Sequence, residues 1–135
     1  EKASEVMGLS KHITFTGYLK KTDVFCAYHA ADLMLFPSKT ETQGLTAVES
    51  IMCGTPVIGL NEMGIKAVIN NGVSGILTNE NINEYAQAAM DLLNNPKKRK
   101  EFSKKAQEAG RAYSYLETGQ KLEETYKELI QAKEH

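Results

Sequence analysis

The run Leu33-Met34-Leu35-Phe36, apolar at every position and cut off by Pro37-Ser38, constrains the fold more than any other stretch. A strand with one wet face alternates polar and apolar residues. A run apolar throughout must be covered on both faces, as strands of a parallel sheet are. Three comparable runs recur: Ile13-Thr14-Phe15-Thr16, Pro56-Val57-Ile58-Gly59-Leu60 and Gly75-Ile76-Leu77-Thr78. Each is followed by a stretch of helical character. Strands alternating with helices at intervals of about twenty residues predict βαβ crossovers. The expected class is α/β, a doubly wound, Rossmann-like parallel sheet of about four strands with a helical C-terminus.

Local signals place the helices. Thr22 is the expected N-cap of a helix reaching Ala31, with Asp23 at the positive end of its dipole and Val24, Phe25, Ala27, Tyr28 and Ala31 on an apolar face. A second helix is expected from about Gly44 to Cys53, stopped by Gly54, and a short third from Ile65 to Asn71, stopped by Gly72. Asn81 with Glu84, and Ser114 with Glu117, have the capping-box spacing. Between them Phe102, Ala106 and Ala109 line a further helix, and Leu122, Tyr126, Leu129 and Ile130 stripe the last one. No repeat, low-complexity tract or linker interrupts the 135 residues, so one domain is expected.

Charge excludes some partners. Sixteen basic against seventeen acidic residues leave a net charge of −1, no general basis for binding nucleic acid or anionic membrane. The cluster Lys97-Lys98-Arg99-Lys100 reads as the solvated start of a helix, a membrane-surface role being the minor alternative. No apolar run approaches the length of a membrane span. Cys26 and Cys53, without Cys-x-x-Cys, and His12, His29 and His135, without ligand spacing, predict neither a disulfide framework nor a metal site. A reducing, cytoplasmic setting is the expectation. Cys53 before Gly54 reads as small-residue packing, not as a nucleophile.

Ligands of open parallel sheets bind beyond the carboxyl ends of the strands. Residues 17–20, 37–44, 61–64 and those after Thr78 are therefore the places to look. The second is the richest: a polar loop, Ser38 to Gln43, running into Gly44 and a helix N-terminus. Such an end presents unpaired N–H groups and partial positive charge, which suit a phosphate, and a glycine there allows close approach to the backbone. Glu41 lies in the loop and Glu49 inside the helix, on the face of Leu45. A carboxylate among Leu45, Val48, Ile51 and Met52 needs a partner, and two sugar hydroxyls would serve. Taken singly, each glutamate reads more simply as a solvated or capping residue.

The combination is more specific. Ser38-x-x-Glu41-x-x-Gly44-Leu45-x-x-x-Glu49-x-x-x-x-Gly54-Thr55-Pro56-Val57-Ile58 resembles the Glu-x7-Glu and Gly-Thr-Pro-Val signature of retaining glycosyltransferase family 4, which has the GT-B fold. Ile13 to Gly17, Ala30-Ala31-Asp32 and Asn71-Gly72-x-x-Gly75-Ile76-Leu77 resemble other segments of that family, so the likeness runs from about Ile13 to Asn95. Two departures stand out. Thr42-Gln43 replaces the usual Gly-Phe after the first glutamate, a variant similar to bacterial diacylglycerol glucosyltransferases. Ala67 stands where the family's Gly-Gly-x-x-Glu segment has its glutamate.

The resemblance implies a partial C-terminal, nucleotide-sugar-binding domain. Its first βαβ portion, which carries an arginine and a lysine that clamp the diphosphate, and the acceptor-binding N-terminal domain are expected to be missing. It implies a UDP-sugar donor as substrate, no cofactor and no metal, and transfer of a hexose to a glycan or lipid acceptor. Glu41 is the implied catalytic residue, holding donor-sugar hydroxyls, and Glu49 the implied holder of the ribose. Ser38, Thr42, Gln43, Gly44, Leu45 and Thr46 are the other donor-binding candidates, with Leu19 in the Tyr18-Leu19-Lys20 loop beside the base. The chain alone is expected to be inactive, to self-associate weakly through an open sheet edge, and in its intact form to lie at the inner membrane face. The rival readings are another GT-B enzyme such as a nucleotide-sugar epimerase, and a non-catalytic flavodoxin-like interaction module.

Overall fold

A computed structural model describes residues 1–133. Its elements follow the order α1 (Lys2–Val6), α2 (Lys21–Ala30), β1 (Met34–Phe36), α3 (Leu45–Met52), β2 (Val57–Leu60), α4 (Met63–Val68), β3 (Gly75–Thr78), α5 (Ile82–Leu93), α6 (Pro96–Gly110), a 3₁₀ turn (Arg111–Tyr113) and α7 (Tyr115–Lys133). The three strands form one parallel sheet in the order β1-β2-β3. Met34 pairs with Val57 and Phe36 with Gly59, then Val57 with Gly75 and Leu60 with Thr78. The central strand is buried at all four positions, as continuous apolarity demands.

The sheet alternation divides the core. Val57 packs with Ala47 and Ile51 of α3, Ile65 of α4 and Ala106 of α6. Its neighbour Ile58 points the other way, to Ala89 and Leu92 of α5 and Phe102 of α6. Helices therefore cover both faces of β2, and α6 contributes to both clusters; β1 lies at the sheet edge with Leu35 53% exposed, so the cover expected on both faces of the Leu33–Phe36 run is incomplete. One arginine joins the layers. Arg99 pairs with Asp32 at 2.9 Å and donates to the Leu92 and Leu93 carbonyls, satisfying the C-terminal end of α5. One cation of the basic cluster is thus a structural clasp.

Several sequence expectations need correction. Residues 13–16 form no strand, so among the described residues the sheet has three strands, not four. Ile13 is 40% and Phe15 53% exposed, and no backbone ladder reaches them. An extended segment is a strand only when a neighbour takes up its N–H and C=O groups, and β1 pairs with β2 alone. Thr22 is not a cap: α2 starts a residue earlier with Lys20 as N-cap, and no side chain caps it. Pro56 precedes β2 and only its carbonyl serves the sheet, accepting from the Met34 N–H. The short third helix ends at Val68, before Asn71. Asn81 caps α5 through the N–H groups of Asn83 and Glu84, but Glu84 turns its own carboxylate to Asn79, so the box is half made. Ser114 accepts from the Glu117 N–H as expected. Of the histidines, His12 and His29 are exposed, and His135 lies outside the described residues.

Candidate functional site

Each strand delivers its following loop to one edge. Residues 37–44 follow β1, 61–64 follow β2 and 79–81 follow β3. Lys39 pairs with Glu80 and links the first loop to the third. Pro37, Lys39, Leu60, Glu80, Ile82 and Tyr85 line a cleft of about 410 Å³ there. Tyr85 is not free to act in it. Its hydroxyl donates to the Ile58 carbonyl at 3.0 Å, and burial pushes the phenol up to about 12.

The loop after β1 is shaped by Glu41 and Gly44. Gly44 is the N-cap of α3 with φ +66°, a left-handed conformation that glycine adopts without strain. It is buried, with Val68 and the Gly64 carbonyl beside the place a Cβ would take. The glycine thus serves turn geometry and packing, where the sequence had pointed to phosphate access. The Glu41 carboxylate accepts from the N–H groups of Gln43 at 3.1 Å and Gly44 at 3.0 Å. These bonds, that to Gly44 first, hold Glu41 below the ordinary carboxylate range. On the other side, the Gly64 N–H donates to the Glu41 carbonyl at 3.1 Å, which ties the loop to α4.

Gly44 therefore spends its N–H on Glu41. The first intrahelical bond of α3 runs from Val48 to the Gly44 carbonyl. Leu45 and Thr46, both exposed, keep N–H groups without a partner among the described residues. Of the three backbone donors implied by the sequence, two are open and one is engaged. Thr42 and Gln43 are exposed and Ser38 half-buried, so all are accessible from the same edge. Leu19 is half-buried just before α2, and no hydrogen bond joins residues 18–20 to the loop after β1.

Glu49 sits differently from Glu41. It is half-buried on α3, near enough to Tyr28 of α2 for its charge to act on the phenol. Burial first, then the charge of Glu49, raises the Tyr28 phenol, and the same pair of causes raises the Cys53 thiol. Cys53 is thus held as a neutral thiol, against a nucleophilic role. Sequence reasoning placed Tyr28 on an apolar helix face and missed its polar end. Chemically, the edge offers an anion two N–H donors at a helix start.

Residues 1–109 match the family described as glycosyl transferases group 1. The chain belongs to that family. It is 30% identical over 130 residues to D-inositol 3-phosphate glycosyltransferase of Corynebacterium urealyticum, covering 96% of this chain and 31% of that protein. The namesake of Mycobacterium marinum is 35% identical over 91 residues, 67% of this chain and 20% of that protein. This glycosyltransferase chain thus spans less than a third of the length of either relative. Among solved structures, sucrose-phosphate synthase from Thermosynechococcus elongatus superposes with a TM-score of 0.85 at 26% identity, over 97% of this chain and 33% of that one. Anabaena Alr3699/HepE in complex with UDP superposes at 0.83 and 25% identity, over 94% of this chain and 35% of that one. The fold is the Rossmann-like half of a GT-B glycosyltransferase.

Proposed function

We propose that the chain is the donor-binding part of a retaining, metal-independent family 4 glycosyltransferase that uses a UDP-sugar. The observation that carries this reading is the start of α3, where the Leu45 and Thr46 N–H groups are open at the carboxyl edge of a parallel sheet, directly after the loop that Glu41 caps. The diphosphate would take those donors. Glu49, fixed on the helix, would accept from the ribose hydroxyls, and Glu41, on the loop, from hydroxyls of the donor sugar. Charge that develops on the departing diphosphate is what such oriented dipoles stabilise. The acceptor attacks on the face the nucleotide leaves, and the leaving phosphate takes its proton. That the similar Alr3699/HepE was solved with UDP and with UDP-glucose supports the choice of nucleotide. The acceptor, a glycan or a lipid, would be bound by a domain outside this chain, and the intact enzyme would work at the inner membrane face.

Calorimetry with UDP on two variants tests the roles. Glu49→Ala removes the acceptor for two hydroxyls, a loss of about 1.5–3 kcal/mol for hydrogen bonds to a charged group. Affinity should fall by about one to two orders of magnitude. Glu41→Ala should leave UDP affinity nearly unchanged while suppressing sugar transfer by the intact enzyme. Equal losses, or none for Glu49→Ala, would refute the assignment. Absence of any UDP binding would favour the interaction-module reading instead.

A further inference from the structure

Helix α6 carries its charge against its own dipole. Pro96–Gly110 holds six basic residues and two acidic ones, in a chain whose net charge is −1. No acidic residue stands in its first turn and no basic one in its last. The positive end of a helix favours carboxylates and opposes cations, so this order costs stability. Arg99 has a structural use, as the clasp to Asp32 and the end of α5. Its neighbours have none. Among the described residues, the side chains of Lys97, Lys98 and Lys100 enter no ion pair. Both acids of the helix are engaged elsewhere, Glu101 with Lys105 at 2.6 Å and Glu108 with Lys104 at 3.9 Å.

Packing sets which way the lysines face. Phe102, Ala106 and Gly110 are buried, and Lys97, Lys100 and Lys104, spaced by three and four, are exposed on the far side of the helix. These three line a shallow groove together with Ser103 and Gln107, and Lys98 is exposed beside them. The start of α6 adjoins Ala31, Asp32 and Gly54, which precede β1 and β2. The row therefore lies by the amino ends of the strands, away from the carboxyl edge.

We infer that this row of lysines docks the chain on an anionic lipid surface. Charge and shape together select that partner. A bilayer with anionic headgroups presents a flat negative plane, which a single outward row can meet. Nucleic acid fits less well. Binding of single strands uses exposed aromatic rings, and Phe102, the one aromatic residue of α6, is buried. Outside α6 the chain is net acidic and would repel a longer polyanion. Each lysine at such a surface is worth about fivefold in partitioning, so four give several hundredfold, a weak and salt-sensitive dock. Docking there leaves the carboxyl edge open to a soluble nucleotide sugar, and the inference does not rest on the reading of that edge.

Cosedimentation with vesicles of phosphatidylglycerol and phosphatidylcholine, and of phosphatidylcholine alone, tests this. Three chains are compared. One is unaltered, one carries Lys97→Gln, Lys98→Gln and Lys100→Gln, and a control of equal net charge carries Lys2→Gln, Lys11→Gln and Lys121→Gln, also exposed. The unaltered chain should bind the mixed vesicles at about 0.05 M salt, be released at about 0.5 M, and ignore the neutral ones. The α6 variant should bind about 100-fold more weakly, and the control should lose less than about fivefold. The melting temperature of the α6 variant should hold or rise, since cations leave the positive end of a helix. No binding to the mixed vesicles, equal losses in the two variants, or a lower melting temperature for the α6 variant overturns the inference. So does an RNA oligonucleotide that binds more tightly than the vesicles and is lost in the same variant. UDP affinity should be the same in all three chains, so failure of the nucleotide reading and failure of the dock are told apart.

Discussion

Replacing Gly64 by alanine tests how the candidate site is supported. An added Cβ would stand 2.5 Å from the Glu41 carbonyl oxygen and 2.6 Å from the Thr42 carbonyl carbon and oxygen. All three are main-chain atoms, so no side chain can rotate away. Either α4 or the loop after β1 must retreat, and the Gly64 N–H bond to the Glu41 carbonyl, now 3.1 Å, must stretch. Overpacking of this kind costs about 1–3 kcal/mol. For a chain of this size that corresponds to a fall in melting temperature of about 3–15 °C. The displaced loop carries Glu41 and Gly44, so UDP binding at the adjoining Leu45 and Thr46 donors should weaken as well. Gly119 supplies the control. It lies inside α7, and a Cβ there meets nothing within 4 Å. Gly119→Ala should raise stability by up to about 1 kcal/mol through helix propensity alone. Scanning calorimetry and UDP titration read both variants. A Gly64→Ala protein that melts like the unaltered chain and binds UDP equally well would show that α4 does not brace the loop.

Three further outcomes are expected. Tyr85→Phe leaves the Ile58 carbonyl without its phenol donor and should cost about 0.5–1.5 kcal/mol. Because the folded phenol is raised from 10.0 to about 12, its contribution should be constant below pH 10 and vanish as pH rises through 12, as urea titrations across that range would show. Arg99→Met removes the donor to the Leu92 and Leu93 carbonyls and the partner of Asp32; faster amide exchange at the α5–α6 junction should report it, and unchanged exchange would deny the clasp. Glu41 is held low by the Gly44 and Gln43 N–H groups, so the stability it adds is present above the usual carboxylate range and is lost as pH falls through its own lowered value. Glu41→Gln should flatten that acid limb of the stability profile, and an unaltered limb would refute the capping role.

Much of the fold was legible because local chemistry and tertiary demand agreed. Leu33 to Phe36 and Val57 to Leu60 are apolar at each position and two of the three strands fall there. The Gly54 N–H closes α3 on the Ile51 carbonyl and the Thr55 N–H on Ser50, the glycine-marked stop that the sequence predicts. Asn81 and Ser114 accept from the N–H groups of the next turn as their spacing foretells, though neither Glu84 nor Glu117 closes its box. Thr22 misled because its side chain is suited to capping, yet α2 begins before it. Of the site, the positions of Glu41 and Gly44 at the loop–helix junction could be read. The capping role that the sequence offers as the simpler reading of Glu41 is the one seen, and only the path of the loop decides that the Gln43 and Gly44 N–H groups are the ones it takes.

The order of residues by itself determined the class, the βαβ alternation and the glycine stop of α3, since each follows from side-chain periodicity or from a backbone need within a few positions. Tertiary structure decided what depends on neighbours distant in sequence. Residues 13–16 have a strand's composition and no strand beside them, so they stay unpaired. Arg99 has a surface residue's composition, yet Asp32 and the end of α5 make it a clasp. Glu49 lies on α3, yet its charge raises the phenol of Tyr28, 21 positions earlier in the chain, because α2 packs beside it. Hydrogen bonds and ion pairs between separate elements depend on distance in space, and packing alone sets that distance.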